Sequence, residues 1–152
     1  MAKNTVILRN RSDCFEEKTA AGTITPGMLV ALGSADTVTA HNSAGMNVLP
    51  RFAVEDEYQG KGIDDNYSSG DKVKLWIPQR GDQVNALLLD GETVVIGDYV
   101  QSGGGGRVMK FVAGSAAVVE YPASIIGQVD EAVDMSGSAG EDPSGRVCIT
   151  II

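Results

Sequence analysis

Residues 58–78, YQGKGIDDNYSSGDKVKLWIP, decide the fold, because a glycine-punctuated polar loop runs here into a strand of alternating character. The alternating side chains divide between two faces: Val73, Leu75 and Ile77 on one, and Lys72, Lys74 and Trp76 on the other. This period of two is typical of a half-buried β-strand. The stretch therefore predicts a strand near the centre of a β core.

Turn signals on both sides of this stretch predict further strands. Residues 28–32 and 37–40 form one predicted hairpin, and residues 84–89 and 93–96 form another around Asp90-Gly91, a pair that tolerates the positive φ of a tight turn. The other predicted features are a glycine hairpin tip at 103–106, strands at 108–113, 116–119, 125–129 and 147–151, and a polar loop at 134–145. With 19 glycines and 5% aromatic residues, the composition favours an all-β protein.

Length and charge restrict the function. A chain of 152 residues with 43% hydrophobic residues suits one domain with appendages. Its formal net charge of -8 opposes binding to nucleic acid, because phosphates are repelled. The apolar runs are too short to span a membrane, and the first ten residues lack a secretory signal, so we expect folding in the cytosol. Cys14 and Cys148 are then expected to be free thiols.

The first 22 residues are predicted to form an arm that is extended or partly disordered when free, with residues 23–152 as the body. A β-prone patch, Thr5, Val6, Ile7 and Leu8, is followed by polar residues that include Arg9 and Arg11. Residues 1–18 carry four basic and three acidic residues, whereas the remainder carries eight and seventeen. This contrast suits a segment that docks on a partner by adding a strand, and a frayed terminus is the alternative. Asp13 and Glu16 could also cap a short helix that ends near Gly22.

Side chains suited to chemistry are few. His41 is the single histidine, so a His-centred triad or a multi-histidine metal site is excluded within one chain, and we expect a loop residue there and no metal or cofactor. The acidic groups lack the spacing of an EF-hand and are expected to be solvated surface. Trp76 and Tyr67 are candidates for a subunit interface, where such residues are enriched, or for packing within the chain.

The run Gly62-Ile63-Asp64-Asp65-Asn66-Tyr67 resembles the third motif of the trimeric dUTP pyrophosphatases. The resemblance implies that Asp64 orients the attacking water and that Tyr67 lies against the deoxyuridine. However, Ser68 and Ser69 stand where that family has Arg-Gly, and the family's other phosphate-binding motifs do not occur in this chain. A dUTP pyrophosphatase-like hydrolase is therefore kept as an alternative. The chain lacks the family's groups that would stabilise the charge of the pyrophosphate during hydrolysis.

A broader resemblance covers most of the chain. The β-prone arm, ITPGMLVAL, the 58–78 stretch, the Asp-Gly turn, GDYVQSG and the closing IIGQVDEAVD and RVCITII together resemble the head decoration, or cement, proteins of tailed bacteriophages. The resemblance implies a small β-barrel or sandwich of the β-tulip type with no active site. It also implies a homotrimer on the outer surface of an expanded head, made in the host cytoplasm.

The partner implied by this resemblance is the major capsid protein of an HK97-type shell. The arm would become ordered by pairing with a capsid-protein strand, and the residues implied in binding are Thr5, Val6, Ile7, Leu8, Arg9 and Arg11. Many weak contacts repeated over the shell would then stabilise it by avidity. A glycan- or host-surface-binding β-module is a third hypothesis, and it requires exposed aromatic side chains, for which Trp76 and the four tyrosines are the candidates.

Overall fold

The computed structural model describes residues 3–11, 13–114, 123–137 and 145–152, and it is an all-β protein, as predicted. Its elements are β1 (Ile7–Arg9), β2 (Phe15–Ala20), β3 (Val30–Leu32), β4 (Thr37–Ala40), β5 (Phe52–Ala53), the 3₁₀ helix η1 (Glu57–Gln59), β6 (Lys72–Trp76), β7 (Gln83–Leu87), β8 (Thr93–Val94), β9 (Tyr99–Gly104), β10 (Arg107–Lys110), β11 (Ile125–Val129), β12 (Val133–Asp134) and β13 (Arg146–Ile151). No helix among the described residues is long and apolar enough to cross a membrane. The strand predicted at 116–119 and most of the loop predicted at 134–145 lie outside these residues.

The largest sheet has six antiparallel strands in the order β1-β7-β13-β11-β9-β10. β13 lies in its interior, paired with β7 from Arg146↔Leu87 to Thr150↔Gln83, which confirms the alternating strand predicted at the end of the chain. β9 and β10 form the predicted glycine-tipped hairpin. Gly104, Gly105 and Gly106 all have positive φ in the tip, a conformation that favours glycine.

A second sheet has five strands in the order β3-β4-β2-β6-β5, with β2 and β4 parallel. β6, the strand predicted from the 58–78 stretch, lies in its interior, and β3 and β4 form the predicted hairpin. Ala53 N–H also donates to Met28 O at 3.0 Å, and Val30 N–H donates to Arg51 O at 2.9 Å, so the two edges of this sheet meet locally. The architecture is that of an all-β sandwich with no closed barrel.

The Asp90-Gly91 turn joins two sheets and does not close a hairpin. Glu92 N–H donates to Leu89 O at 3.2 Å and Gly91 has a φ of 81°, so the predicted turn is present. β8, however, pairs with β12 in a separate two-stranded sheet, while β7 pairs with β1 and β13. The predicted pairing of these two segments is therefore wrong, because turn chemistry fixes the reversal of the chain but not the strand's partner.

Two apolar clusters fill the molecule, and the strands of the second sheet divide their side chains between them. Phe52 and Trp76 belong to the larger cluster, which lies against the six-stranded sheet. Their neighbours in sequence, Ala53 and Leu75, belong to the smaller cluster inside the five-stranded sheet. Successive side chains of a strand point to opposite faces, so both faces of β5 are buried, and both faces of β6 are buried at Leu75 and Trp76.

The N-terminal segment does not lie apart from the body, in contrast to the prediction for residues 1–22. β1 pairs with β7 in the six-stranded sheet, and Val6 is fully buried in the larger cluster. β2 pairs with β6 over five residues, from Phe15↔Trp76 to Thr19↔Lys72, where a short helix was the alternative. Non-local pairing orders the described residues of this segment within a single chain, so a boundary at residue 22 does not separate an arm from the body.

Candidate functional site

The N-terminal strand is held from both sides. Glu55 accepts a hydrogen bond from the Thr5 hydroxyl and another from Val6 N–H, the second at 3.0 Å. On the opposite side Asn85 N–H donates to Val6 O at 2.8 Å, and the Asn85 side-chain amide donates to Thr5 O at 3.3 Å. Thr5 and Val6, two of the predicted binding residues, therefore serve as anchors of the strand within its own chain.

The remaining predicted binding residues follow along β1, which is the edge strand of the six-stranded sheet. Ile7 pairs with Val84 and Arg9 with Gln83, and the register shifts between the two pairs. Ile7 and Leu8 are half-buried, whereas Arg9 and Arg11 are exposed. No further strand of the described chain pairs with the outer edge of β1, so its main chain is open to a partner beyond the point where Glu55 covers Val6.

A groove runs beside this open edge and consists of two adjoining recesses that share Tyr58 and Lys74. The larger recess has a volume of about 630 Å³ and also contains Phe15, Glu17 and Gln59 in its wall. The smaller one, about 170 Å³, reaches Ile7 on β1. The groove therefore joins the N-terminal strand to the outer face of β2 and β6.

Tyr58 stands in full contact with solvent at the rim of this groove, with an exposure of 100%. The η1 turn presents it: Asp56 accepts hydrogen bonds from Tyr58 N–H at 3.1 Å and from the Gln59 side chain at 2.6 Å, and Gly60 ends the turn with a φ of 70°. Opposite it, Lys74 Nζ lies 4.7 Å from the centroid of the half-exposed Phe15 ring, a cation–π contact. The sequence carried the signal for Tyr58 in the Asp-Glu-Tyr-Gln-Gly turn, which the prediction passed over in favour of Tyr67.

Tyr67 and Trp76, the two residues predicted at a subunit interface, are both fully buried in a single chain. The Tyr67 hydroxyl donates to Val54 O at 2.7 Å, and burial raises the pKa of this phenol. Trp76 packs in the larger cluster beside its register partner Phe52. For both residues the open alternative, packing within the chain, is the one observed, because each side chain lies in an apolar cluster of its own chain.

The geometry of the 62–67 loop does not assemble the site implied by the dUTP pyrophosphatase resemblance. Asp64 is exposed and lies 3.6 Å from Nη2 of Arg146, whose guanidinium also donates to Ile63 O and Pro26 O, both at 2.9 Å. Tyr67, its proposed partner, is enclosed in the smaller cluster. The buried arginine thus fixes the loop on the body, and neither Asp64 nor Tyr67 lines the groove.

The single histidine and the two cysteines do not line the groove. His41 is only 7% exposed, in a connection after β4, and its Nδ1 lies 2.6 Å from the Oγ of the buried Ser102. Burial lowers the pKa of His41. In the described ranges no three histidine, cysteine, aspartate or glutamate side chains cluster in a way that could hold a metal ion. Cys14 is exposed and Cys148 is buried, and both are free thiols, as predicted.

Comparison with known proteins informs the fold of the chain. No family model matches the chain, and no curated protein matches it. Among solved structures it is similar to the N-terminal base of the head fiber gp8.5 of bacteriophage phi29, with a TM-score of 0.56 and 14% sequence identity. The match covers 93% of this chain and 95% of the other. At this identity the likeness establishes a shared fold over nearly the whole of both chains.

Proposed function

We propose that this chain is a structural protein of a bacteriophage head that binds the outside of the expanded shell and stabilises it. The observation that carries the proposal is the likeness of the whole fold to the base of a head fiber, since 93% of the chain takes part in it. The sequence resemblance to head decoration proteins points to the same class of particle. In this proposal the chain acts as a homotrimer that clamps neighbouring copies of an HK97-type major capsid protein, without catalysis.

The β1 edge and the groove beside it are the surface we propose for contact with the shell. Because β1 is already a strand of the body, the partner supplies the added strand, which reverses the direction expected from the sequence. Ile7, Leu8 and Arg9 then offer the main chain, while Thr5 and Val6 keep β1 in position. A three-residue edge gives a weak contact, and its repetition over a closed shell supplies the stability by avidity.

Binding to heads tests this function. The purified chain is mixed with expanded heads and with immature heads of the phage that encodes it, sedimented, and quantified in the pellet. We expect binding to expanded heads alone and a higher melting temperature of the decorated particles by calorimetry. Sedimentation velocity of the free chain tests the homotrimer. Absence of binding to both forms of the head would refute the proposal.

One observation favours a second candidate, a glycan-binding module. Trp76 is unavailable as an aromatic platform, but Tyr58 is fully exposed at the rim of the larger recess of the groove, about 630 Å³, which also carries carboxylate and amide groups. Exposed aromatic rings beside hydrogen-bonding side chains are suited to sugar rings. A glycan array probed with the labelled chain and with Tyr58→Ala tests this candidate, which requires signals that the variant loses.

A further inference from the structure

The turn at residues 79–82 brings together three arginines from two distant parts of the chain at one corner of the molecule. Gln79 N–H donates to Asp82 Oδ2 at 2.8 Å, and Asp82 N–H donates to Gln79 O at 3.0 Å. Gly81 has a φ of 93°, which glycine adopts without strain. Asp82 is fully buried, so the turn is fixed at the start of β7 and Arg80 projects from it into solvent.

Arg9 and Arg11 reach the same turn from the N-terminal strand. Arg9 Nη2 donates to Gly81 O at 3.0 Å, and Arg11 N–H donates to Asp82 Oδ1 at 2.9 Å. The guanidinium carbon of Arg11 lies 3.9 Å from the position that a Cβ on Gly81 would occupy. Arg9, Arg11 and Arg80 are all exposed, and together they are called the arginine corner.

Among the residues that the structure describes, no ion pair neutralises the charge of this corner, in a chain that has twenty acidic and twelve basic residues. Six other basic residues form ion pairs: Lys3, Lys18, Arg51, Lys61, Lys110 and Arg146. Within the described ranges no carboxylate lies in ion-pair distance of a corner guanidinium. Asp82 is close, but main-chain N–H groups occupy both of its oxygens.

We infer that the arginine corner binds the carboxylates of an acidic, extended segment of a partner protein. This inference rests on the proposed function, under which the partner is the shell protein. Its carboxylates then make the contact with the arginine corner. Guanidinium groups bind carboxylates through paired hydrogen bonds, and the open edge of β1, which ends at Arg9, offers main-chain groups to the same segment. The arginine corner thus attracts the carboxylates of the segment, and main-chain pairing with β1 fixes its alignment along the strand.

Two other occupants fit the corner less well. Nucleic acid also offers groups for arginine, but its backbone lacks the N–H and C=O groups with which a peptide pairs to the open edge of β1. A second copy pairing edge to edge through β1 offers the corner no carboxylate from its own residues 3–11, which include Arg9 and Arg11. Exposed charges on edge strands commonly prevent such self-pairing. An acidic segment of a different protein supplies both the carboxylates for the corner and the main-chain groups for the β1 edge.

The direct test uses a hexaglutamate peptide in a titration of the ¹⁵N-labelled chain followed by NMR. We expect shifts at the amides of Arg9, Arg11 and Arg80 that weaken when salt is raised to about 0.2 M. The variant Arg11→Ala with Arg80→Ala keeps every hydrogen bond described above and should bind about tenfold more weakly. The matched control, Lys18→Ala with Lys110→Ala, removes the same charge elsewhere and should lose less than about threefold.

The titration would overturn the inference if shifts were confined to other residues, if both double variants lost equal affinity, or if a single-stranded oligonucleotide of the same charge bound more tightly. Shifts that follow protein concentration alone would assign the corner to a second copy and would also overturn it. Head binding separates this inference from the proposed function. If the wild-type chain and the Arg11/Arg80 variant bind expanded heads equally tightly, the function is retained and the inference is lost.

Discussion

At the scale of single residues, His41 is a buried side chain, and its burial favours the neutral form of the ring. The residue is 7% exposed and its Nδ1 lies 2.6 Å from Ser102 Oγ. Its main-chain N–H donates to Leu29 O, and its main-chain O accepts from Gly106 N–H. Sequence reasoning placed it in a polar connection, which is correct, but the neighbouring residues gave no sign that the glycine-tipped hairpin covers the ring. Burial is therefore a property of the tertiary structure here.

The pH dependence of stability should report this burial. Because desolvation lowers the pKa of folded His41 below its ordinary value of about 6.5, the unfolded chain takes up a proton first as the pH falls. Stability from the neutral ring is present above that value and is lost as the pH falls through it toward the lower folded pKa. Urea unfolding at pH values above and below 6.5 should show a larger loss for the wild type than for His41→Gln. Equal losses would contradict the assignment.

At the scale of elements, the alternation of apolar and polar side chains predicted where strands lie, but it did not predict which strands pair with each other. β6 and β13 were recognised because their apolar side chains recur with a period of two. Arg9 and Gly81, by contrast, are 72 residues apart, and the β1 pairing that joins them leaves no local trace. Trp76 lies on the face opposite Leu75, as predicted, but a single strand could not show whether the chain itself or another subunit covers that face.

The N-terminal strand should contribute to stability through Val6. Val6→Ala removes two methyl groups from the larger cluster and should lower the free energy of unfolding by about 2 kcal/mol. Leu8→Ala, at a half-buried position outside both clusters, is the control and should cost less than half as much. Urea denaturation of both variants measures the difference. Similar small effects would show that β1 is not anchored as described.

Deletion of residues 2–11 should also destabilise the body, although the sequence predicted an arm that is separate from it. An independent arm could be removed without effect on the body, whereas the docked strand covers apolar groups and satisfies Asn85 and Glu55. We therefore expect the truncated chain to have a lower melting temperature by circular dichroism. Loss of head binding on deletion cannot then be attributed to missing contacts alone, and for this reason surface substitutions at Arg11 and Arg80 are the sharper probes of binding.

At the scale of the whole molecule, the two apolar clusters are parts of one structure. β5 and β6 each direct one side chain into the larger cluster and the next into the smaller one, as Phe52 and Ala53 show. Leu29 and Val30 divide in the same way. Since these segments are shared, neither cluster can lose its packing while the strands of the other stay in place.

Unfolding should therefore be a single cooperative transition. Leu75→Ala weakens the smaller cluster by about 2–5 kcal/mol, and Val84→Ala weakens the larger one by about 2 kcal/mol. Each should shift the whole transition, so that tryptophan fluorescence from Trp76 and far-ultraviolet circular dichroism give the same midpoint in both variants. Trp76 reports on the larger cluster, which makes Leu75→Ala the decisive case. A fluorescence midpoint that stays at the wild-type value in Leu75→Ala while the dichroism midpoint falls would show that the clusters unfold separately.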